Sequence, residues 1–361
     1  MDAAAAFLLS IIFILASPNI EAAQQFSGMF VFGDSLVDDG NNNLLGSLAK
    51  ANYFPYGIDF YEGPSGRFCN GKTIIDFLGE LMGLPYLPAF ASTFTSVGIN
   101  VVNGVNYASA GAGILDETGL QLGDRFSLSQ QVQNFETTLN QLKSQMDEKE
   151  LSQYLAKALA VMILGSNDYI NNYLLPSLYT TSSNYTPKDY ADLLIGHYTS
   201  HILALQSSGL RKFLLAGVGP LGCIPNQLAS GRAPEGECVS FVNDIVEIFN
   251  TRLRSLVDQL TRSHPGSIFV YGNTYGVFTD ILNNPDSFGF SVANKGCCGI
   301  GRNQGQITCL PMSIPCLKRD QYVFWDAFHP TEAVNQIIAR RAYGGPPSDC
   351  YPINVKKMAE V

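Results

Sequence analysis

Phe30-Val-Phe-Gly-Asp-Ser-Leu-Val-Asp-Asp-Gly-Asn-Asn42 is the stretch that decides how this chain is read. Its opening apolar run, residues 29–32, is too short for a helix and stops at Gly33. It therefore reads as a buried strand, with Ser35 on the loop beyond its carboxyl end. A serine hydroxyl is a weak nucleophile until a base takes its proton, and that base needs a third group to hold its ring. Far downstream, Asp326-Ala-Phe-His329-Pro-Thr supplies both, a carboxylate and an imidazole within one turn of chain. The candidate catalytic set is Ser35, Asp326 and His329, in that order. Each fragment also has a blander reading. A serine after a strand is a common helix N-cap, and Asp326 could cap a helix while His329 packs near its start.

Working outward, candidate strands at 29–32, 105–108, 159–164, 212–216 and 268–271 alternate with helical patterns over 72–82, 129–145, 188–207 and 238–263. In the last of these, Phe241, Ile245, Ile248, Phe249, Leu256 and Leu260 recur with the period of an apolar helix face. His329-Pro330-Thr331 then opens a final helix to about Arg341, with the proline in its first turn. This alternation predicts an α/β fold: one domain with a central, mainly parallel five-stranded sheet and helices on both faces. Ligands of such sheets sit beyond the carboxyl ends of the strands. Ser35, Gly111 and Asn167 follow the first three candidate strands and so fall at one edge. Asn106-Tyr-Ala-Ser-Ala-Gly-Ala-Gly113 and Gly165-Ser-Asn-Asp168 offer what acyl transfer needs next, donors for a developing oxyanion. A glycine lets a backbone N–H come close, an asparagine side chain adds a second donor, and the backbone N–H of Ser35 adds another. Turn formation alone is the alternative for both loops.

Together these blocks resemble the GDSL esterase/lipase family, the plant-type branch of the SGNH hydrolases. The blocks are Phe30–Asn42, Asn106–Gly113, Gly165–Asp168 and Asp326-Ala-Phe-His-Pro330. The resemblance runs from about Phe26 to Tyr343, and four blocks in the right order make it specific. It implies a three-layer α/β/α, flavodoxin-like fold, Ser35 as nucleophile, Gly111 and Asn167 in the oxyanion hole, Asp326 orienting the ring and His329 as base. It implies no cofactor. Ala110 stands where the family commonly has glycine, and Asp39 where threonine is frequent; neither is a catalytic position. The expected activity is cleavage of small-molecule or lipid esters through an acyl-enzyme on Ser35. Two rivals share the motifs: an acyltransferase that hands the acyl group to an alcohol, and a secreted binding protein that keeps the fold without turnover. The intact Ser35, Gly111, Asn167, Asp326 and His329 argue against the second.

The bulk composition agrees with this. A chain that is 46% hydrophobic and 15% charged can bury a large core, which excludes disorder. A net charge of −9 without a basic stripe disfavours nucleic acid as a partner. Residues 7–16 are apolar and are followed by Ser17-Pro-Asn and the small pair Ala22-Ala23. This reads as a secretory signal over residues 1–23, cut after Ala22 or Ala23, leaving a single domain over 24–361. The run falls short of the ~20 residues that span a bilayer, so no stable membrane insertion is expected. Eight cysteines fit an exported chain with disulfides; Cys223–Cys238 and bridges within 297–316 are the pairings proposed. Zinc is the rival for the 297–316 cluster, which has neither Cys-x-x-Cys spacing nor a histidine. Asn184-Tyr-Thr186 is a glycosylation sequon followed by Pro187.

Other motifs are set aside. His197 and His201 lie one helical turn apart, but no glutamate-containing zinc motif surrounds them, so no metal is expected. Gly217-Val-Gly-Pro-Leu-Gly222 has the glycine spacing of a dinucleotide loop, yet Pro220 and Pro225 deny it a helix N-terminus. Gly289-Phe-Ser291-Val-Ala293 lacks the strand-to-helix flanks of a nucleophile elbow. The loops 115–127 and 173–185 are apolar and aromatic enough either to line an ester site or to pack on the core. Neither acyl group nor oligomeric state has a signature here.

Overall fold

The structure, a computed structural model, describes residues 25–95 and 100–361. The expected signal segment, 1–23, lies outside the described residues. Five short buried strands form a parallel sheet: β1 Met29–Gly33, β2 Gly104–Asn106, β3 Leu159–Ile163, β4 Lys212–Ala216 and β5 Ile268–Gly272. Two more, β6 Val292–Gly296 and β7 Tyr322–Phe324, pair with each other in parallel outside that sheet. The last, β8 Cys350–Tyr351, runs antiparallel against β5. The main sheet therefore has six strands in the order β2-β1-β3-β4-β5-β8, one more than expected. A two-residue strand next to Pro352 carries no periodicity to read, and an antiparallel edge on a parallel sheet is a common addition.

Side chains alternate across the sheet as its pleat demands. Phe30, Phe32, Ala160, Met162, Phe213 and Leu215 join one apolar cluster, whereas Met29, Val31, Val161, Ile163, Leu214 and Ala216 join the other. The helices Leu128–Lys143, Glu148–Lys157, Pro187–Ser207 and Ser240–Ser263 cover the first face. Ile74–Met82, Thr274–Asn283 and Glu332–Gly344 cover the second, giving three α/β/α layers. Helix starts follow local chemistry. Thr73 with Asp76 and Ser127 with Gln130 form capping boxes that satisfy the first free amides of their helices.

Two expectations need correction, while the cysteine pairings stand as proposed. The final helix begins at Glu332 with Thr331 as its N-cap, so Pro330 stands before the helix and not in its first turn. Pro330 instead bridges back to Phe324, closing the loop that carries His329. In Ser240–Ser263 the buried stripe includes Val242, Val246, Leu253 and Val257, while Phe241 at the first turn is exposed. Of the eight cysteines, six pair, as Cys223–Cys238, Cys297–Cys316 and Cys298–Cys309. The 297–316 sulfurs are thus committed to disulfides and not to zinc. Cys69 and Cys350 keep buried thiols, each against a backbone carbonyl, Gly71 and Ala342, and Cys350 sits in the second apolar cluster.

Candidate active site

The strand order places the reversal point between β1 and β3, where open α/β sheets bind ligands. Ser35 leaves β1 there and Gly165 leaves β3. Ladder bonds run to the end of both strands, and Asp34 N–H still donates to the Ile163 carbonyl at 3.2 Å. Gln131 closes the same strand end from the helix above. It accepts from Gly33 N–H at 2.8 Å and donates to the Gly33 carbonyl at 2.9 Å. Gly33 is required by close packing, since a Cβ there would lie 2.3 Å from Val37. The turn that presents Ser35 is held by Val37 and Asp38 amides on the Asp34 carbonyl.

The residues that follow Ser35 tie its loop to the one bearing Gly111. Asp38 accepts from the Gly40, Asn41 and Ala110 amides. Asn41 donates to the carbonyls of Asn106 and Ala108, and Asn42 donates to that of Ala110 while accepting from Ser109 and the Ala110 amide. All three side chains are buried, so each bond replaces water that burial removed. Gly111 itself adopts φ +83°, a left-handed conformation that a side chain would strain. Among the described residues, the amides of Ser35 and Gly111 donate to no protein acceptor.

Asn167 completes this side. Its Oδ1 accepts from Asn171 and its Nδ2 donates to the Ala112 carbonyl at 2.9 Å, which leaves the second N–H of that amide for another acceptor. Its neighbour Asp168 accepts from the Ile114 and Leu115 amides and the Thr118 hydroxyl, locking the glycine loop to the end of β3. Burial pushes the Asp168 carboxyl up to about 6. It pushes Asp34 up to about 7, and one oxygen of Asp34 has no partner.

On the other side, His329 Nε2 lies 2.8 Å from Ser35 Oγ and its Nδ1 lies 2.9 Å from both oxygens of Asp326. The Asp-x-x-His spacing works because Asp326 Oδ1 accepts from the Phe328 and His329 amides, folding the loop back on its own carboxylate. Asp326 is fully buried. Burial alone would raise its carboxyl, but the charge and hydrogen bond of His329, the Tyr56 hydroxyl and the Phe328 amide outweigh it. The result lies below the usual carboxylate range. Phe68 lies against the His329 ring at 5.2 Å between centroids.

Ser35, Gly111, Asn167 and His329 all face one cleft of about 230 Å³, whose walls are mostly apolar. Ile170, Leu221, Ile224, Phe278, Phe324 and Phe328 line it, together with Leu48, Tyr53 and Leu122. The only lysine there, Lys50, is engaged with the carbonyls of Asn43 and Leu45. Of the two loops singled out from sequence, 115–127 contributes Leu122, whereas 173–185 supplies no wall residue. Tyr179 instead bonds back to Gln121 and the Glu117 carbonyl. The Gly217–Gly222 segment runs into a 3-10 turn at Leu221–Cys223 and then the short helix Pro225–Ala229, whose first residue is a proline, and it gives Gly219 and Pro220 to the cleft wall. His197 and His201 lie on Pro187–Ser207, away from the cleft. Sequence reasoning missed Gln131, Asp38, Asn41 and Asn42 as supports, because their partners are backbone groups of distant segments.

This geometry can be set beside known proteins. A family model described as GDSL-like Lipase/Acylhydrolase matches residues 29–342. The chain is 56% identical to the protein named GDSL esterase/lipase At5g08460 of Arabidopsis thaliana, covering 97% of this chain and 92% of that one. It is also 56% identical to GDSL esterase/lipase At1g71250 of the same plant, over 97% and 94% of the two chains. GDSL esterase/lipase 7 is 50% identical over 92% of each. With a match across nearly its whole length and a serine, an imidazole and a carboxylate in line at the switch point of the sheet, the chain belongs to the GDSL-like lipase/acylhydrolase family.

Proposed function

We propose that this protein is a serine hydrolase of carboxylic esters, with Ser35 as nucleophile, His329 as general base and Asp326 orienting the imidazole. The observation that carries the reading is the unbroken line Ser35 Oγ–His329–Asp326, at 2.8 and 2.9 Å. His329 Nε2 takes the hydroxyl proton as Ser35 Oγ attacks the ester carbonyl. Negative charge on the former carbonyl oxygen meets the Ser35 and Gly111 amides and the free N–H of Asn167. The tetrahedral intermediate collapses, and His329 returns the proton to the departing alkoxide, leaving the acyl group on Ser35. Water, deprotonated by the same ring, then releases the acid and restores the serine.

The cleft suits a neutral ester with apolar substituents, because its walls offer no uncommitted cation to a charged acyl group. One catalytic domain spans 24–361 in this reading. Export is supported by the leader-like sequence of residues 1–23 and by three disulfides. Among the described residues no helix is long and apolar enough to cross a membrane. Asn184 is exposed at the end of a short helix and is the proposed glycan acceptor. The test is hydrolysis of p-nitrophenyl acetate, butyrate and a long-chain ester beside Ser35→Ala. Turnover should depend on chain length and vanish with the hydroxyl. Equal rates for the two proteins would dismiss Ser35 as nucleophile.

A further inference from the structure

Asp326 carries more hydrogen bonds than a ring-orienting carboxylate needs, and those on its outer oxygen come from parts of the chain with no sequence signature. Oδ1 is filled by the Phe328 and His329 amides at 2.8 Å each. Oδ2 accepts from the Tyr56 hydroxyl at 2.5 Å and from the Thr308 hydroxyl at 3.3 Å. His329 Nδ1 is equidistant from the two oxygens, so the ring does not by itself choose the rotation of the carboxyl group. That rotation is set by the donors at its two ends. We propose that Tyr56, assisted by Thr308, is a positioning residue of this active site, holding Asp326 Oδ2 so that the carboxylate keeps His329 aimed at Ser35.

Packing shows why this hydroxyl can do so. Tyr56 is only 2% exposed and its ring meets Tyr53, Phe68 and Trp325 edge-on, in a small apolar cluster with the disulfide cysteines. Burial, then the charge of Asp326, push its phenol well above the ordinary value, so it stays a donor. Thr308 is delivered by the neighbouring Cys309, which is bonded to Cys298. The Cys298 amide in turn donates to the Trp325 carbonyl, one residue before Asp326. The stapled segment therefore reaches the carboxylate from two directions. The short, charge-assisted bond from Tyr56 stabilises the anion and spreads its charge. Without it the carboxylate is more basic and is held at Oδ2 by Thr308 alone, so its rotation is less firmly fixed, and the imidazolium beside it gains.

The inference rests on the Ser35–His329–Asp326 reading. Tyr56→Phe keeps the ring and removes one atom, and Thr308→Val keeps the volume. Ester hydrolysis by both should be normalised to the sites titrated by a p-nitrophenyl phosphonate, so that unfolded protein is not counted. Tyr56→Phe should lower kcat about ten- to a hundredfold, as expected for a bond to a charged group. KM should stay close to wild type, and the acid limb of the pH profile should move to higher pH. Thr308→Val should do the same by about threefold, in line with its longer bond. A wild-type kcat and acid limb per titrated site in Tyr56→Phe would overturn the proposal. So would a change confined to KM, which would make Tyr56 only a wall of the cleft. Ser35→Ala, run in parallel, separates the two claims. If it is dead while Tyr56→Phe is unchanged, only this inference falls; if it still turns over, the triad itself falls.

Discussion

Ser35 leaves a five-residue strand in the middle of a parallel sheet, whereas Asp326 and His329 ride on a loop after a three-residue strand outside that sheet. The first half of the site is held by ladder bonds, by Gln131 across the strand end, and by buried carboxylate and amide side chains reaching neighbouring backbone. The second is held by the small β6–β7 pair, by Tyr56 and Thr308, and by two disulfides within twenty residues of chain. A nucleophile and an oxyanion hole need fixed backbone, which a sheet supplies. The loop that carries the base is buried as well, but beneath it lies the small cluster of Tyr56, Trp325 and the disulfide cysteines, not the main sheet, and covalent staples tie that cluster together. The two halves should therefore fail differently.

The largest effect expected on the sheet-borne half comes from Asn167→Ala. Turnover should fall about 10²- to 10³-fold as one oxyanion donor is lost. The melting temperature should barely change if the Ala112 carbonyl it also serves finds water. An unchanged kcat would remove Asn167 from the chemistry. Next comes the stapled half. Replacing Cys298 and Cys309 together by serine opens an eleven-residue loop and should cost about 3 kcal/mol of stability, read from chemical denaturation. It should also lower kcat per titrated site, because Thr308 is no longer delivered to Asp326. A loss of stability with normal turnover would uncouple the staple from the carboxylate.

The smallest effect is on the pH dependence of stability. Asp34 and Asp168 have carboxyls raised by burial, to about 7 and about 6, above the unfolded value of 3.8. Their folded forms hold protons that the unfolded chain has released. They favour the fold fully at low pH, and that contribution is lost as pH rises through their folded values. Asp326, held below the usual range, acts in the opposite sense, and only at more acid pH. Melting temperature should thus decline from pH 5 to pH 8, and Asp34→Asn should flatten the decline. An equally steep decline in that variant would show that Asp34 ionises freely in the fold.

The comparison also explains what sequence could reveal. Four of the five parallel strands carry uninterrupted apolar runs, since strands buried on both faces leave no polar alternation; β2, Gly-Val-Asn, is buried without one, and the strand loops bring Ser35, Gly111 and Asn167 to one edge. β6 reads Val-Ala-Asn-Lys-Gly and is largely open to solvent, so nothing in it marks a strand. β8 is too short to show a period. Within the site, Asp326 and His329 are neighbours in the chain and advertise each other. Tyr56 and Asp326 are 270 residues apart, and Pro55-Tyr56-Gly57 reads as an ordinary turn. The supports Asp38, Asn41 and Asn42 were visible as part of a motif, but their targets are carbonyls and amides, which every residue has. Phe241 shows the reverse failure, an apolar residue in register with a helix face that nevertheless points to solvent.

In this mechanism Ser35 is the residue that takes the acyl group. The direct measurement is to react the protein with a fluorophosphonate and locate the adduct by peptide mass spectrometry, in wild type and in Ser35→Ala. One adduct per chain is expected, on the peptide containing Ser35, and none in the variant. An adduct on another serine, or labelling that persists without the Ser35 hydroxyl, would contradict it.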